Sequence, residues 1–491
     1  MLIQELLKTT QTFPTKPAAN DPTRTLTYSQ LITFSQVIRR IVLKETHCQR
    51  VGLMLPASVG GLGTIWGVLW AGRTVVPLNF LLQPNELAQI IADAQIDLII
   101  TTQHFESLLA GLPIRTLYLE QLNLKRRYVW EKLRRTPEPP DVEPDEVAVM
   151  LYTSGTTGQP KGVCLTHNNI LSNCRSAIEY MQITPDERLL GMVPPFHVFG
   201  FTVLICLPVV LGTTTSYIPR FSPQAAYRAI RNENITILLA IPSMYNAIAH
   251  LKTLTPSDFQ KITLAASGGE PLPRTVYDLF YERTGVRLVE GYGLTETSPI
   301  IAFDVPRDHH VGTVGRPIPG VETQIRDEIG NILPAGKEGE LYVRGPLVMK
   351  GYYNRPQETT TVIDAEGWFR TSDIVRIDEG GYMSITGRAK DLIIVGGENV
   401  YPREIESVLE QHPAVTEAAV LGRADSKRGE AVVAFVALHE NTDTTTDELR
   451  TYCRDHLAGF KVPREIILRP ELPRGPTGKI VKRELNSFLE K

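Results

Sequence analysis

Polar and apolar positions change period several times along the chain. Residues 1–11 predict a short amphipathic helix. Thr27 and Gln30 stand at capping-box spacing before a helical run over 31–43. A short apolar strand follows at 50–55, a helix at 58–72 and a strand at 74–78, and the strand pattern returns at 96–101. Such alternation predicts parallel sheets covered by helices. From residue 312 onward, closely spaced glycines and prolines break the chain into short strands and turns, which predicts a β-rich subdomain. A boundary is expected near 386–391. Beyond it, helices at 402–411 and 446–456 alternate with strands at 418–421 and 431–438. The expected class is α/β, with a large N-terminal domain over 1–388 and a small α+β domain over 389–491.

One run changes that picture if it crosses a membrane. Residues 193–212 carry no formal charge and are long enough to span a bilayer. They also contain Pro194, Pro195, His197, Gly200 and Pro208, which leave backbone groups needing partners in lipid. A loop followed by a buried helix or strand is expected instead. The segment 125–135 is basic with interleaved aromatics, and a Pro-rich acidic stretch follows at 137–146. A solvated helix and a surface linker explain both. The sharper reading is a weak peripheral contact with an anionic membrane.

Composition narrows the function classes. The 491 residues are 42% hydrophobic and 21% charged, enough for a large core and ordinary for a globular protein. A net charge of −3 gives no general pull toward nucleic acid, so none is expected as a partner. Cysteines at 48, 164, 174, 206 and 453 form no Cys-x-x-Cys pair. Neither a disulfide framework nor a zinc site is suggested, and a reducing cytoplasm is the expected compartment. The start of the chain lacks the basic and apolar regions of a signal peptide.

The strongest chemical signal runs from Tyr152 to Gly162. An apolar strand over 147–151 leads into Thr153, Ser154, Gly155, Thr156, Thr157 and Gly158, with Lys161 close behind. A loop this rich in glycine and hydroxyls can turn several N–H and O–H donors on one anion, and Lys161 adds a full charge. The spacing is not that of a Walker A loop. An ordinary flexible loop would not need this density of donors.

This loop resembles the signature of the adenylate-forming (AMP-binding) superfamily. Further motifs follow in the family's order: Phe196-His-Val-Phe-Gly200, Ser267-Gly-Gly-Glu-Pro-Leu-Pro273, Gly291-Tyr-Gly-Leu-Thr-Glu-Thr297, Thr371-Ser-Asp373, Gly387-Arg-Ala-Lys-Asp391 and Pro473-Arg-Gly-Pro-Thr-Gly-Lys479. The resemblance covers nearly the whole chain. It implies that ATP, Mg²⁺ and CoA are used, in two half-reactions. An acid and ATP first give acyl-AMP and pyrophosphate. The small domain then turns and the acyl group passes to a thiol.

The resemblance also implies roles. Residues 153–158 and Lys161 hold the β- and γ-phosphates. Tyr292, in Gly291-Tyr292-Gly293, lies along the adenine, with Gly269, Glu270 and Pro271 opposite. Thr295 bonds the α-phosphate, and Glu296 holds Mg²⁺. Asp373 accepts from both ribose hydroxyls, supported by Arg388. Lys479 bridges the carboxylate and the α-phosphate. Lys390 is the hinge, and Gly396, Gly397 and Glu398 line the thiol tunnel. His197, Phe199, Gly200, Gly268 and Gly293 border the acyl group. Ser372 stands where the family more often has glycine, and stiffens the turn. No Ser/His/Asp triad is visible.

The run Phe196, Val198, Phe199, Phe201, Val203 and Leu204 is apolar, and some of it is simple core. The segment 290–299 and the C-terminal part resemble bacterial long-chain fatty acyl-CoA synthetases, so a fatty acid and CoA are the expected substrates. Acyl carrier protein is an alternative acceptor. A peptide-synthetase adenylation domain is not expected, since no carrier domain is seen after residue 491. A silent nucleotide- or acyl-binding paralogue is a remote alternative, set against the presence of Glu296, Asp373 and Lys479.

Overall fold

The computed structural model describes residues 1–154, 160–395, 398–425, 429–439, 442–474 and 480–489. Among them the strands form four sheets. A seven-stranded sheet is parallel over 50–54, 74–77, 98–101, 115–118 and 147–154. Two antiparallel strands, Pro160–Thr166 and Gly351–Tyr352, extend its edge. A nine-stranded sheet has six parallel strands at its centre, over 17–21, 214–217, 188–191, 237–240, 264–268 and 289–293. An antiparallel four-stranded sheet spans 322–388, and the fourth sheet belongs to the smaller C-terminal domain.

Local sequence explains the helices that cover these sheets. Thr27 accepts from the Gln30 backbone N–H, and Gln30 returns the bond to Thr27, so the capping box starts helix Tyr28–Glu45 three residues before its apolar run. Ser58 caps helix Val59–Trp70 through the Gly61 N–H. Trp66 and Trp70 on that helix are fully buried in the main core with Tyr28 and Ile38.

The uncharged run at 193–212 forms a π-helical segment, Phe199–Cys206, continued by the α-helix Leu207–Leu211. It is buried between helices and sheet, and among the described residues no helix is long and apolar enough to cross a membrane. The basic stretch forms helix Leu124–Lys132. Its one buried residue, Glu131, receives Arg40 at 2.6 Å, which ties it to helix Tyr28–Glu45.

In the C-terminal sheet the strands are longer than the sequence pattern suggested. Val415–Asp425 pairs antiparallel with Gly429–Leu438, where the hydropathy pattern marked only 418–421 and 431–438. Glu417, Gly422 and Arg423 interrupt the apolar alternation, while the ladder shifts register between Val415 and Glu417 and runs on through Gly422 and Arg423. The five cysteines are free thiols.

Candidate active site

Parallel pairing fixes where the site must lie. Ser267 is in register with Glu290, and Gly268 with Gly291, so the two strands end together. Ligands of parallel sheets bind beyond such carboxyl ends. The chain leaves one end through Gly269, Glu270 and Pro271 and the other through Tyr292, Gly293 and Leu294. Gly269 has φ +82°, and the nearest atom to a Cβ built there is 3.7 Å away, so the turn leaves open space. Gly293 is required for a different reason. A Cβ there would sit 1.8 Å from the Pro299 carbonyl oxygen, because the chain folds straight back on itself.

That fold-back shapes the turn carrying Thr295 and Glu296. The Leu294 N–H donates to the Pro299 carbonyl at 3.2 Å and to Thr297 Oγ1 at 3.0 Å. Asn173, almost fully buried, donates to the Ile300 carbonyl at 2.8 Å and receives the Ile300 N–H. Nothing in the sequence pattern singles Asn173 out, because its role depends on a helix packed from far along the chain. Glu296 is held from outside the motif, where the Tyr352 hydroxyl donates to its Oε1 at 2.9 Å. Burial raises the Glu296 carboxyl above its ordinary value, and the Tyr352 bond opposes that rise.

A second anchor crosses between sheets. Asp373 and Arg388 lie opposite each other on antiparallel strands. Arg388 Nε donates to Asp373 Oδ1 at 2.7 Å, and the Tyr292 hydroxyl donates to Oδ2 at 2.6 Å. The expected adenine and ribose residues therefore meet through one buried carboxylate. Ser372 has φ +61°. A non-glycine residue pays about 1–2 kcal/mol for the left-handed region, so serine is accommodated at a position whose backbone favours glycine.

Lys161 is the second residue of strand Pro160–Thr166, in register with Thr153. Its ammonium forms an ion pair with Glu358 and lies 5.3 Å over the Tyr352 ring. Gly155, Thr156, Thr157 and Gly158 lie outside the described residues, as do Gly396, Gly397 and Lys479 and the side chains of Ser154 and Lys390. Glu398 is exposed on the C-terminal sheet, in register with Val395.

On the acyl side, Phe199 approaches Gly268, where a Cβ would stand 3.7 Å from the ring. Phe201, Val203 and Leu204 are instead fully buried core. Gly200 is demanded by packing, since a Cβ would fall 2.1 Å from the Pro194 carbonyl oxygen. His197 is half-buried beside Phe196, ring centres 4.6 Å apart.

Glu290 escaped the sequence reading as a site residue. It precedes Tyr292 by two positions on one strand, so both point to the same face. Its carboxylate accepts from the Leu272 N–H at 3.3 Å and borders a cavity of about 80 Å³. Burial pushes its pKa up to about 7. The folded state thus holds this proton more tightly than the unfolded chain between about pH 4.5 and 7. Stability falls as pH rises through that window, and the penalty is complete above it. Glu290→Gln is expected to remove this slope and to stabilise the protein by up to about 3 kcal/mol at pH 8. Thermal melts of both proteins from pH 5 to 8 check it; parallel curves would contradict it.

Among the described residues no cluster of three or more acidic, His or Cys side chains could cage a metal. A single carboxylate fits Mg²⁺, which is commonly held by one or two carboxylates with water and substrate phosphates.

Similarity to known proteins agrees with this geometry. The family model for AMP-binding enzymes matches residues 6–353, and that for the AMP-binding enzyme C-terminal domain matches 404–479. A long-chain-fatty-acid–CoA ligase of Bacillus subtilis is 34% identical, over 97% of this chain and 94% of that protein. A feruloyl-CoA synthase of Amycolatopsis is also 34% identical, over 92% and 93%. The ATP-bound structure of MatB from Rhodopseudomonas palustris superposes with a TM-score of 0.91 at 29% identity, covering 100% of this chain and 99% of that one. With two family models along the chain and a relative 34% identical over nearly its whole length, the chain belongs to the adenylate-forming AMP-binding enzymes, as an acid–thiol ligase that uses ATP, Mg²⁺ and CoA.

Proposed function

We propose that this enzyme activates a medium- or long-chain fatty acid as acyl-AMP and transfers the acyl group to CoA. The observation that carries this reading is the uncharged run at 193–212, whose Phe199 ring closes against Gly268 at the strand ends. A second carboxylate or an ammonium on the substrate would find no charged partner in that run. The similar fatty-acid ligase supports the same choice. A second reading, an aromatic acid, is favoured by the equally identical feruloyl-CoA synthase. Pyrophosphate release across acids distinguishes the two, and acyl carrier protein offered in place of CoA tests the alternative acceptor.

In this reading Asp373 takes the ribose hydroxyls, Tyr292 and the turn Gly269-Glu270-Pro271 enclose the adenine, and Glu290 borders the base. Lys161, Thr153 and residues 154–158 hold the outer phosphates, while Thr295 and Lys479 take the α-phosphate. Glu296 holds Mg²⁺, which when bound neutralises phosphate charge. His197, Phe199, Gly200, Gly268 and Gly293 border the acyl chain. The moving domain is 389–491, hinged at Lys390, with Gly396, Gly397 and Glu398 along the thiol path. Cytoplasmic residence fits five free thiols.

A peripheral lipid contact belongs to the same reading. On helix Leu124–Lys132 and the following turn, Val129, Trp130 and Leu133 are 62%, 60% and 78% exposed, and Lys125, Arg126 and Arg134 flank them. An exposed apolar patch rimmed by cations suits an anionic bilayer surface. Sedimentation with phosphatidylglycerol vesicles is expected to carry down the protein at low salt, and less of Trp130→Ala. Equal recovery without vesicles would dismiss the contact.

A further inference from the structure

The proposed phosphate-binding lysine already has a partner that the phosphates must displace. Strand Gly351–Tyr352 pairs with Pro160–Thr166, placing Tyr352 opposite Val163, and the Tyr353 N–H donates to the Gly162 carbonyl at 2.8 Å. The chain then turns through Asn354, at φ +52°, into helix Pro356–Val362. Thr359 Oγ1 accepts the Tyr352 N–H at 3.0 Å, which folds the helix start back over the strand. That return brings Glu358 to Lys161.

Glu358 touches two cations. One oxygen pairs with Lys161, and the other accepts from Arg355 Nη1 at 3.2 Å. Arg355 is itself anchored, with Nη2 3.6 Å from Asp93 Oδ1, while Asp93 Oδ2 accepts the Tyr152 hydroxyl at 2.6 Å. Arg355 Nε is buried and has no acceptor among the described residues. The arginine is thus fixed in place with a donor to spare.

We propose that Glu358 is a positioning residue that holds Lys161 and passes to Arg355 when the triphosphate of ATP takes the ammonium. The proposal rests on the reading of Lys161 as a phosphate-binding residue. A carboxylate beside Lys161 repels an incoming polyphosphate, so it must leave for the lysine to turn. Arg355 lowers the cost of that departure because its Nη1 already donates to the other Glu358 oxygen. When pyrophosphate departs, Glu358 recaptures Lys161 and opposes rebinding. The exchange acts on the affinity for ATP and pyrophosphate and leaves the chemical step alone.

The test is MgATP binding to the full chain without acid, by calorimetry, beside steady-state kinetics. Glu358 is partly exposed, and glutamine keeps its shape, so E358Q retains the fold. E358Q is expected to tighten ATP binding by about two- to fivefold, the effect of a partly exposed ion pair. KM for ATP falls by the same factor, and kcat stays within about twofold. R355Q weakens ATP binding in the native background and does nothing further in E358Q. Unchanged or weaker binding by E358Q overturns the proposal, as does an R355Q effect of equal size in both backgrounds. K161A separates the two layers. If K161A weakens ATP binding while E358Q has no effect, only the exchange fails. If K161A leaves ATP binding unchanged, the phosphate role of Lys161 fails with it.

Discussion

Asp373→Ala is expected to raise the KM for ATP by roughly tenfold to a hundredfold and to lower the melting temperature as well. The nucleotide effect follows from charge. A hydrogen bond to an ionised group contributes about 1.5–3 kcal/mol, and two ribose hydroxyls would share this acceptor. Both oxygens already accept, from Arg388 Nε and from the Tyr292 hydroxyl. A carboxylate offers about four lone-pair sites, so ribose can join these donors without displacing both. The stability effect follows from what alanine leaves behind. Tyr292 would keep a buried hydroxyl without its acceptor, and the tie between the nine-stranded and four-stranded sheets would be lost. Asp373→Asn separates the two effects, because it keeps an acceptor for Tyr292 and removes the charge. ATP kinetics beside thermal melts check the pair, and an alanine variant with native KM would contradict the ribose assignment.

Lys479→Ala carries the largest expected effect on rate. Acyl-AMP formation requires two anions, the carboxylate and the α-phosphate, to meet while charge builds between them. Loss of one preorganised donor at such a centre costs about 3–4 kcal/mol, roughly a hundred- to thousandfold in rate. Thioester formation from supplied acyl-AMP should change by less than about threefold, because in the proposed two-conformation scheme the C-terminal domain turns before that step and presents another face. Single-turnover assays of each half-reaction separate the steps. Equal loss in both would remove Lys479 from the adenylation step and with it the two-conformation scheme.

Much of the active-site scaffold was legible because it is local. The capping box at Thr27 and Gln30, the Ser58 helix start and the glycine turns after parallel strands each depend on neighbouring residues. The pairing of Asp373 with Arg388 was also legible, since each sits in its own short motif. What stayed hidden depends on contacts across the fold. Glu358 reaches Lys161 only because Gly351–Tyr352 joins the edge of a sheet begun near residue 50. Tyr352 supports Glu296 for the same reason. Asn173 braces the Thr295–Thr297 turn from a separate helix, and its amide gives no pattern to read. Glu290 looked like the first letter of a motif, and only burial distinguishes it from an ordinary strand carboxylate. Ser372 shows the converse. Its departure from glycine was visible in the sequence, but its positive φ was not.

The most direct measurement is pyrophosphate release across acids from acetate to oleate, each with and without CoA. Turnover that peaks on a medium or long fatty acid and depends on CoA is the predicted result. Turnover that peaks on an aromatic acid, or that ignores CoA, would contradict the fatty acid–CoA assignment, and no release with any acid would contradict catalysis by this chain.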